Sequence, residues 1–427
     1  MKKNLLTFVT ALLATGVPVC AQEMTLLDNL SDSVGTLYQP TAEAISSNHR
    51  YLTGPAVDIA GNAGMFVYDL ETNKYAVAPA VDYYGADMRA VSDDGVSIGY
   101  NGPGITYSID GTVTVLEVPE GYASIPRDAD DDLSVIVGNY SVAPSYTGTK
   151  ACIWRNGKIE DLPLPADEDL GFDGSTAYYV SADGSVIAGY VGNGVDNALV
   201  VWRLQSDGSY KYDLVYKNYL FDDNNPEKPY IVFSPSGMSR NGRYVALLLA
   251  TEDVPFMIGR LDLVTNELET YAPDGTNDIP REWGINSSAI ADDGTVVGWV
   301  LAGDWMMQQR RGMIWCPGEK PKLLADMYPE LSDIATFDMI GFNTICDITP
   351  DARYIAGFAY DEFFNNRSFV IDRGENLSTG INNTAAKPEG DKEAARYTVG
   401  GTAVNQPVKG INIIKKVDGT TVKVLVK

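Results

Sequence analysis

Histidine is nearly absent from this chain: His49 is the one example in 427 residues. Cysteine is scarce, with four, and positive charge is short, with 32 Lys and Arg against 57 Asp and Glu. Each shortage excludes something. One histidine and scattered cysteines cannot assemble a Ser-His-Asp triad, a Cys-His pair or a zinc set. No H-E-x-x-H or phosphate-loop pattern occurs either. A formal net charge of −25 leaves no basic footprint for nucleic acid or an anionic membrane surface. Long apolar runs are missing too: beyond the N-terminus no window approaches the ~20 residues of a transmembrane helix.

The N-terminal exception is MKKNLLTFVTALLATGVPVCA, residues 1–21, which reads as a secretory signal peptide. Lys2 and Lys3 supply the charged end, Leu5 to Val17 the apolar stretch, and Val19-x-Ala21 a cleavage site before Gln22. Acylation of Cys20 is the alternative, but Val19 suits a lipobox poorly. The reading predicts export, to the periplasm, the cell surface or the medium. Cys152, Cys316 and Cys346 then remain, an odd and widely spaced set that predicts buried free thiols rather than a disulfide framework.

What the chain does have is repetition. Composition is that of a folded protein, 45% hydrophobic with 25 Tyr, 12 Phe and 6 Trp. The stretch AIADDGTVVG (289–298) returns as AISSNHRYLTG (44–54), AVSDDGVSIG (90–99), DADDDLSVIVG (128–138), YVSADGSVIAG (179–189), GMSRNGRYVAL (237–247) and DITPDARYIAG (347–357). Asp-Gly and Asn-Gly suit a two-residue hairpin turn, so each copy predicts two tightly joined strands. A second hairpin follows most copies, as in ACIWRNGKIEDLPLP (151–165) and RGMIWCPGEKPKLLADM (311–327). Four strands per 39 to 59 residues match one propeller blade. The last copy lacks a fourth strand after RSFVID (367–372), whereas MTLLDNL (24–30) precedes the first copy without a partner. The fold class predicted is therefore all-β, a seven-bladed β-propeller over 22–372 whose last blade is closed by the N-terminal strand. A β-sandwich or an open array of hairpins would leave the four-strand period unexplained.

WGINSSAIADDGTVVGWV followed by RGMIWCPGEKPKLL resembles the bacterial extracellular HAF-type repeat, which alternates an Asp-Gly, Val-Val-Gly hairpin with an Ile-Trp-x-x-Gly hairpin. The resemblance covers about 26–372, with the copies ending at Gly138, Gly189 and Gly298 matching best and the copy ending at Leu247 lacking the glycine. It implies a secreted propeller and brings no catalytic residues. Residues 373–395 read as a linker, and 396–427 as a small β-rich tail with six Lys and Arg against one Asp. That tail is similar to the end of the sorting domain of bacterial type IX secretion, matching at Tyr397, Gly401, Val404, Lys409, Gly410, Ile411, Ile413, Asp418, Gly419 and Lys423 to Lys427. The family domain is longer, and its first strands have no counterpart here. The resemblance implies the secretion machinery as a partner; a hairpin docked on the propeller is the alternative.

Candidate site residues come from loop lengths. The Asp-Gly turns are uniformly short. Variation falls between blades (79–89, 119–127, 166–178, 217–236, 274–288, 328–345) and between second and third strands (139–150, 190–197, 299–311, 358–367). Both classes emerge on one face of an up-and-down propeller, and loops on a rigid scaffold are where binding residues gather. That face holds Tyr83, Tyr84, Arg127, Tyr178, Arg281, Trp283, Asp304 and Trp305, a set suited to a glycan, peptide or protein ligand. The structural alternative is that many of these side chains tuck under their own loops. DADDD (128–132) has the spacing of a calcium loop but Leu133 where glycine is needed, so a hairpin turn is the better reading.

The function expected is a non-catalytic binding or interaction module without cofactor or metal. The rivals are a polysaccharide lyase or hydrolase at the channel mouth, and a structural part of a surface complex. Acids clustered with Tyr or Arg at the channel mouth would favour the enzyme; an exposed aromatic patch would favour binding.

Overall fold

The computed structural model describes residues 23–81, 86–143, 147–164, 173–192, 197–217, 219–222, 225–251, 253–303, 309–328, 344–360, 365–374, 393–398, 404, 410–416 and 421–426. Seven antiparallel sheets form seven blades of a propeller. The innermost strands are Leu37–Pro40 continued by Ala44–Ile45 in blade 1, then Ala86–Val91, Tyr122–Ala129, Gly174–Val180, Asn225–Met238, Gly284–Ile290 and Thr344–Ile348 in blades 2 to 7. Each touches the next, and the seventh touches the first, so the ring is closed. Closure is completed as the strand count requires: Glu23–Leu26 pairs with Asn366–Asp372, Glu23 opposite Asp372 and Leu26 opposite Phe369.

Apolar packing between neighbouring blades holds the ring together. Trp154, Trp202 and Trp315, the tryptophans of the Ile-Trp and Val-Trp motifs, are fully buried. Trp154 donates its indole N–H to Glu117 O at 2.7 Å and Trp202 to Pro163 O at 2.9 Å, each tying a third strand to the end of the preceding blade. The indole N–H, the polar handle that burial would otherwise leave unpaired, is thereby satisfied.

The repeat motif has a local cause. In blades 1, 2, 4, 5 and 7 a Ser or Thr side chain accepts the backbone N–H of the residue that resumes the strand, as Ser181 Oγ accepts from Val186 N at 3.0 Å. Asp130 does the same in blade 3. The turns are not the two-residue hairpins expected. One residue per turn, such as Gly95 or Gly184, has positive φ, where a two-residue type I′ turn needs two. Three- or four-residue loops result, with Ser92 N bonding Val96 O and Ser181 N bonding Val186 O. His49, Leu133 and Ala352 occupy the positive-φ position in blades 1, 3 and 7.

The glycine that ends most copies answers to a neighbouring strand. Every innermost strand carries a one-residue register shift, skipping Arg89, Arg127, Tyr178, Ser236, Ser288 and Cys346 in blades 2 to 7, with the equivalent shift between Pro40 and Ala44 in blade 1. These are β-bulges. Opposite each bulge the partner strand must come close. A Cβ at Gly298 would lie 2.1 Å from Asn286 O, and one at Gly54 would lie 2.0 Å from Thr41 O. Blade 5, which has Leu247 at this place, adds a second shift between Val232 and Ser234 and puts Gly237 just after the bulge.

The chain divides into two compact units, 1–377 and 378–427. The second contains a three-stranded antiparallel sheet of Glu393–Thr398, Gly410–Lys416 and Thr421–Val426. No helix among the described residues is long and apolar enough to cross a membrane.

Candidate functional site

The bulges place two successive residues of each inner strand toward the axis, and together these enclose a central cavity of about 380 Å³. Its wall is unequal. Blades 1 to 4 contribute Glu43, Arg89, Arg127 with Asp128, and Tyr178 with Tyr179; blades 5 to 7 contribute Gly237, Ser288 with Ala289, and Cys346 with Asp347. Met238, Arg240, Ile290 and Ile348 complete the blade 5 to 7 side, so the small residues there form only part of it.

At the turn face, bonds between neighbouring turns step round the ring. Asn48 N bonds Asp93 Oδ1 (2.8 Å), and Ala182 N bonds Arg240 O (2.7 Å). Asn241 N bonds Asp292 Oδ1 (2.9 Å), and Asp292 N bonds Pro350 O (2.9 Å). Between blades 7 and 1 the link is a stack of His49 on Tyr354, with ring centroids 4.3 Å apart. The Arg240 guanidinium donates to Asp131 Oδ1 (2.6 Å), Ala129 O (2.9 Å) and Val180 O (3.1 Å) and lies 3.6 Å from Asp128.

The carboxylates of the wall differ in how they are held. Asp128 accepts from Val180 N of the next blade (2.9 Å) and from Ala129 N (2.8 Å). Asp347 repeats the device with Ile45 N (2.9 Å) and Ile348 N (2.8 Å). Both are interblade clasps. Burial still pushes them up, Asp128 to about 6 and Asp347 to about 7. Asp87 pairs with Arg89. Glu43 alone keeps a carboxyl without such a clasp among the described residues; burial and then the neighbouring Asp87 push it to about 7, against the pull of Arg89.

The cations differ as well. Burial opposes the charge on Arg89, yet Asp87 and Glu43 hold its pKa above the usual arginine value. Arg127 has no carboxylate partner among the described residues. Its guanidinium lies over the Tyr178 ring, 5.3 Å from the centroid, and its Nε is buried without an acceptor. Burial and then Arg89 lower its pKa.

Of the residues singled out from the sequence, Arg127 and Tyr178 are brought together here. They sit on inner strands, not on the interblade loops to which turn counting assigned 119–127 and 166–178. Loop 274–288 likewise gives way to strand at Gly284. Trp283, half-buried, packs on the blade 6 core with the Arg311 guanidinium 5.5 Å from its ring centroid. Arg281 is exposed and donates to Asp274 O within its own loop (2.9 Å). Neither lines the channel cavity. Tyr83, Tyr84, Asp304 and Trp305 lie outside the described residues.

Glu43, Arg89, Asp128, Arg240 and Asp347 were missed. The usable signal was positional: each of the first three, like Asp347, lies ten or eleven residues before its copy's terminal glycine. The aspartates of DADDD diverge: Asp128 clasps Val180, Asp130 caps its turn, Asp131 binds Arg240, and Asp132 accepts from Ser134 N (3.0 Å). Cys152, Cys316 and Cys346 are free, with Cys152 buried and the other two half-buried.

No protein-family model matches the chain, and no curated protein sequence matches it. Among solved structures it is similar to the Dos1 propeller (12% identity, TM-score 0.41, 81% of each chain covered). It is similar also to a Mycobacterium tuberculosis puromycin-hydrolyzing peptidase (10%, 0.48, 89% of this chain and 58% of that one). A third likeness is to a Pseudomonas aeruginosa periplasmic gluconolactonase (15%, 0.38, 71% of this chain and 95% of that one). At these values the likenesses assign neither an activity nor a site to this chain.

Proposed function

We propose that this protein is an exported, non-catalytic binding propeller that takes a small ligand into its central channel from the face bearing the long loops. The observation that carries this is the wall: a cavity of about 380 Å³ with Glu43, Arg89, Arg127 and Tyr178 on one side, and the small Gly237, Ser288 and Ala289 set among Met238, Ile290 and Asp347 on the other. Cavities of roughly 300–1,000 Å³ with a few convergent polar groups are the usual form of small-molecule sites. The glycan, peptide or protein ligand expected on the loop face becomes, in this reading, the part of such a molecule that enters the channel.

The enzyme reading has one observation in its favour, the Glu43 carboxyl held at about 7 beside arginines, as a general acid would be. Two-carboxylate hydrolysis needs a second uncommitted acid. Asp128 and Asp347 spend both oxygens on backbone N–H groups, and Asp87 is paired with Arg89. Binding is therefore the better account.

The test is a thermal-shift screen of residues 22–427 against small sugars, acids and peptides, repeated on Ser288→Trp, which fills the open side. Ligands should stabilise the native protein and not the filled variant. Equal stabilisation of both would place the site elsewhere, and product release from a polysaccharide that stops with Glu43→Gln would favour the enzyme. Export by the N-terminal leader and sorting by 396–427 are part of the same proposal. A mature N-terminus at Gln22, and cell retention on deleting 396–427 with the propeller's melting temperature unchanged, are the results expected.

A further inference from the structure

We infer that the channel ligand is a small monocarboxylate, held through its carboxylate by the guanidinium of Arg127. The inference rests on the channel reading above and adds the chemistry of the occupant.

The argument is a charge count around the cavity. Arg240 is matched by Asp131 and Asp128, and Arg89 by Asp87. Asp347 is satisfied by two backbone N–H groups. Arg127 has no ion pair among the described residues, although Asp87 attracts it, and its buried Nε has no acceptor among them. Arg127 is half-buried, and a cation partly withdrawn from water without an ion pair is costly in general, so its Nε calls for an acceptor. The Tyr178 ring supplies part, at 5.3 Å, and cannot satisfy the N–H groups.

What would satisfy them is planar and singly charged. Guanidinium presents a fork of donors that matches a carboxylate edge. The acids of the same wall, Glu43, Asp128 and Asp347, limit the negative charge that the site can take, so a monoanion fits better than a dianion such as phosphate. Small Ser288 and Ala289 opposite Arg127's side of the wall leave room for a compact, monosaccharide-sized body. Glu43 gives the site a pH response. It is faced by Asp87 and Arg89 from blade 2 and by Cys346 and Asp347 from blade 7, with Asp128, Arg127 and Arg240 further round the wall. Proton uptake by Glu43, and by Asp128 and Asp347 in the same range, makes the cavity more positive as pH falls from 8 to 6.

Calorimetric titration with glucuronate, galacturonate and lactate, each beside its methyl ester, tests this at pH 8 and pH 6. The first two against the third distinguish a sugar acid from a simple hydroxy acid. At least one free acid should bind, its ester more weakly by on the order of tenfold or more, and the acid more tightly at pH 6. Arg127→Met should abolish the preference for acid over ester while raising the melting temperature of the free protein, since it removes an unpaired, half-buried charge. Glu43→Gln should bind more tightly than the native protein at pH 8 and show a smaller gain on going to pH 6, the remainder coming from Asp128 and Asp347. Esters and acids binding alike, or Arg127→Met lowering the melting temperature, overturns the inference while leaving the channel reading intact. If Ser288→Trp fails to impede any binding, the channel reading itself falls.

Discussion

The two ends of the innermost strands contrast. At the turn end the blades are nearly copies: a capping Ser, Thr or Asp in all but blade 6, which has Ala291 there, one positive-φ residue, and a link to the next turn. A few residues away, at the bulge, the backbone is equally repetitive but the side chains vary, from Glu43 through Arg89, Arg127 and Tyr178 to Ser236, Ser288 and Cys346. Repetition marks what the ring needs in order to close. Its loss, at positions where the backbone still repeats, marks side chains that the fold does not dictate.

The largest effect should come from breaking the repeated backbone. Gly298→Ala puts a Cβ against Asn286 O at 2.1 Å, and the bulge must shift to relieve it. Urea denaturation should show a loss of about 3 kcal/mol or more. A loss under about 1 kcal/mol would mean that the bulge does not depend on this glycine.

Next in size is a pH effect confined to the ring. The carboxyl of Glu43 is raised from the ordinary glutamate range to about 7, so the native state holds a proton that the unfolded chain has released. Stability from this group is full below pH ~4.5 and is lost as pH rises through about 7. Asp128 and Asp347 act in the same direction, while Asp69 and Asp262, lowered mainly by their arginine partners against the effect of burial, act below pH ~4. The protein should be more stable at pH 5.5 than at pH 8. Glu43→Gln should recover roughly 2 kcal/mol of that difference at pH 8. An unchanged pH profile in the variant would remove Glu43 from the buried charge balance.

Smaller again is the loss of one turn cap. Ser181→Ala leaves the buried N–H of Val186 without its acceptor, a cost of about 1 kcal/mol by thermal denaturation, with no change in ligand binding. The smallest effect sharpens the comparison from the other side. Ala352 sits at φ 59°, where most blades have glycine. Ala352→Gly relieves that strain but adds unfolded-chain entropy, so a net gain of about 0.5 kcal/mol is expected. A loss would show that the buried methyl matters more than the backbone.

Reading the channel from sequence failed at a definable point. Inner strands were cut short because Arg127, Ser175 and Thr176 looked like loop, being polar where a buried strand reads apolar. They line or border a polar channel, and the bulge breaks the period-two alternation that would have revealed the strand. Arg127 and Tyr178 were noticed for their chemistry and placed on the wrong element. The repeated Arg-Tyr of blades 1, 5 and 7 was equally visible in the sequence. Its meaning is an ion pair to the aspartate nineteen residues on, Arg50 to Asp69 at 2.8 Å, Arg243 to Asp262 at 2.7 Å and Arg353 to Asp372 at 2.8 Å.

The sequence by itself determined the blade number, the order of strands and the closing of the last blade by the N-terminal strand. Those follow from patterns within 40 to 60 residues, since hairpins are local and a missing strand leaves a countable deficit. Only the tertiary structure decided why the repeat ends in glycine and which residues share the channel. The glycine answers to a bulge on the facing strand, and the wall draws two to four residues from each of seven blades. Neither register nor convergence round an axis leaves a trace in any single window, because both arise from pairing between segments that the sequence holds far apart.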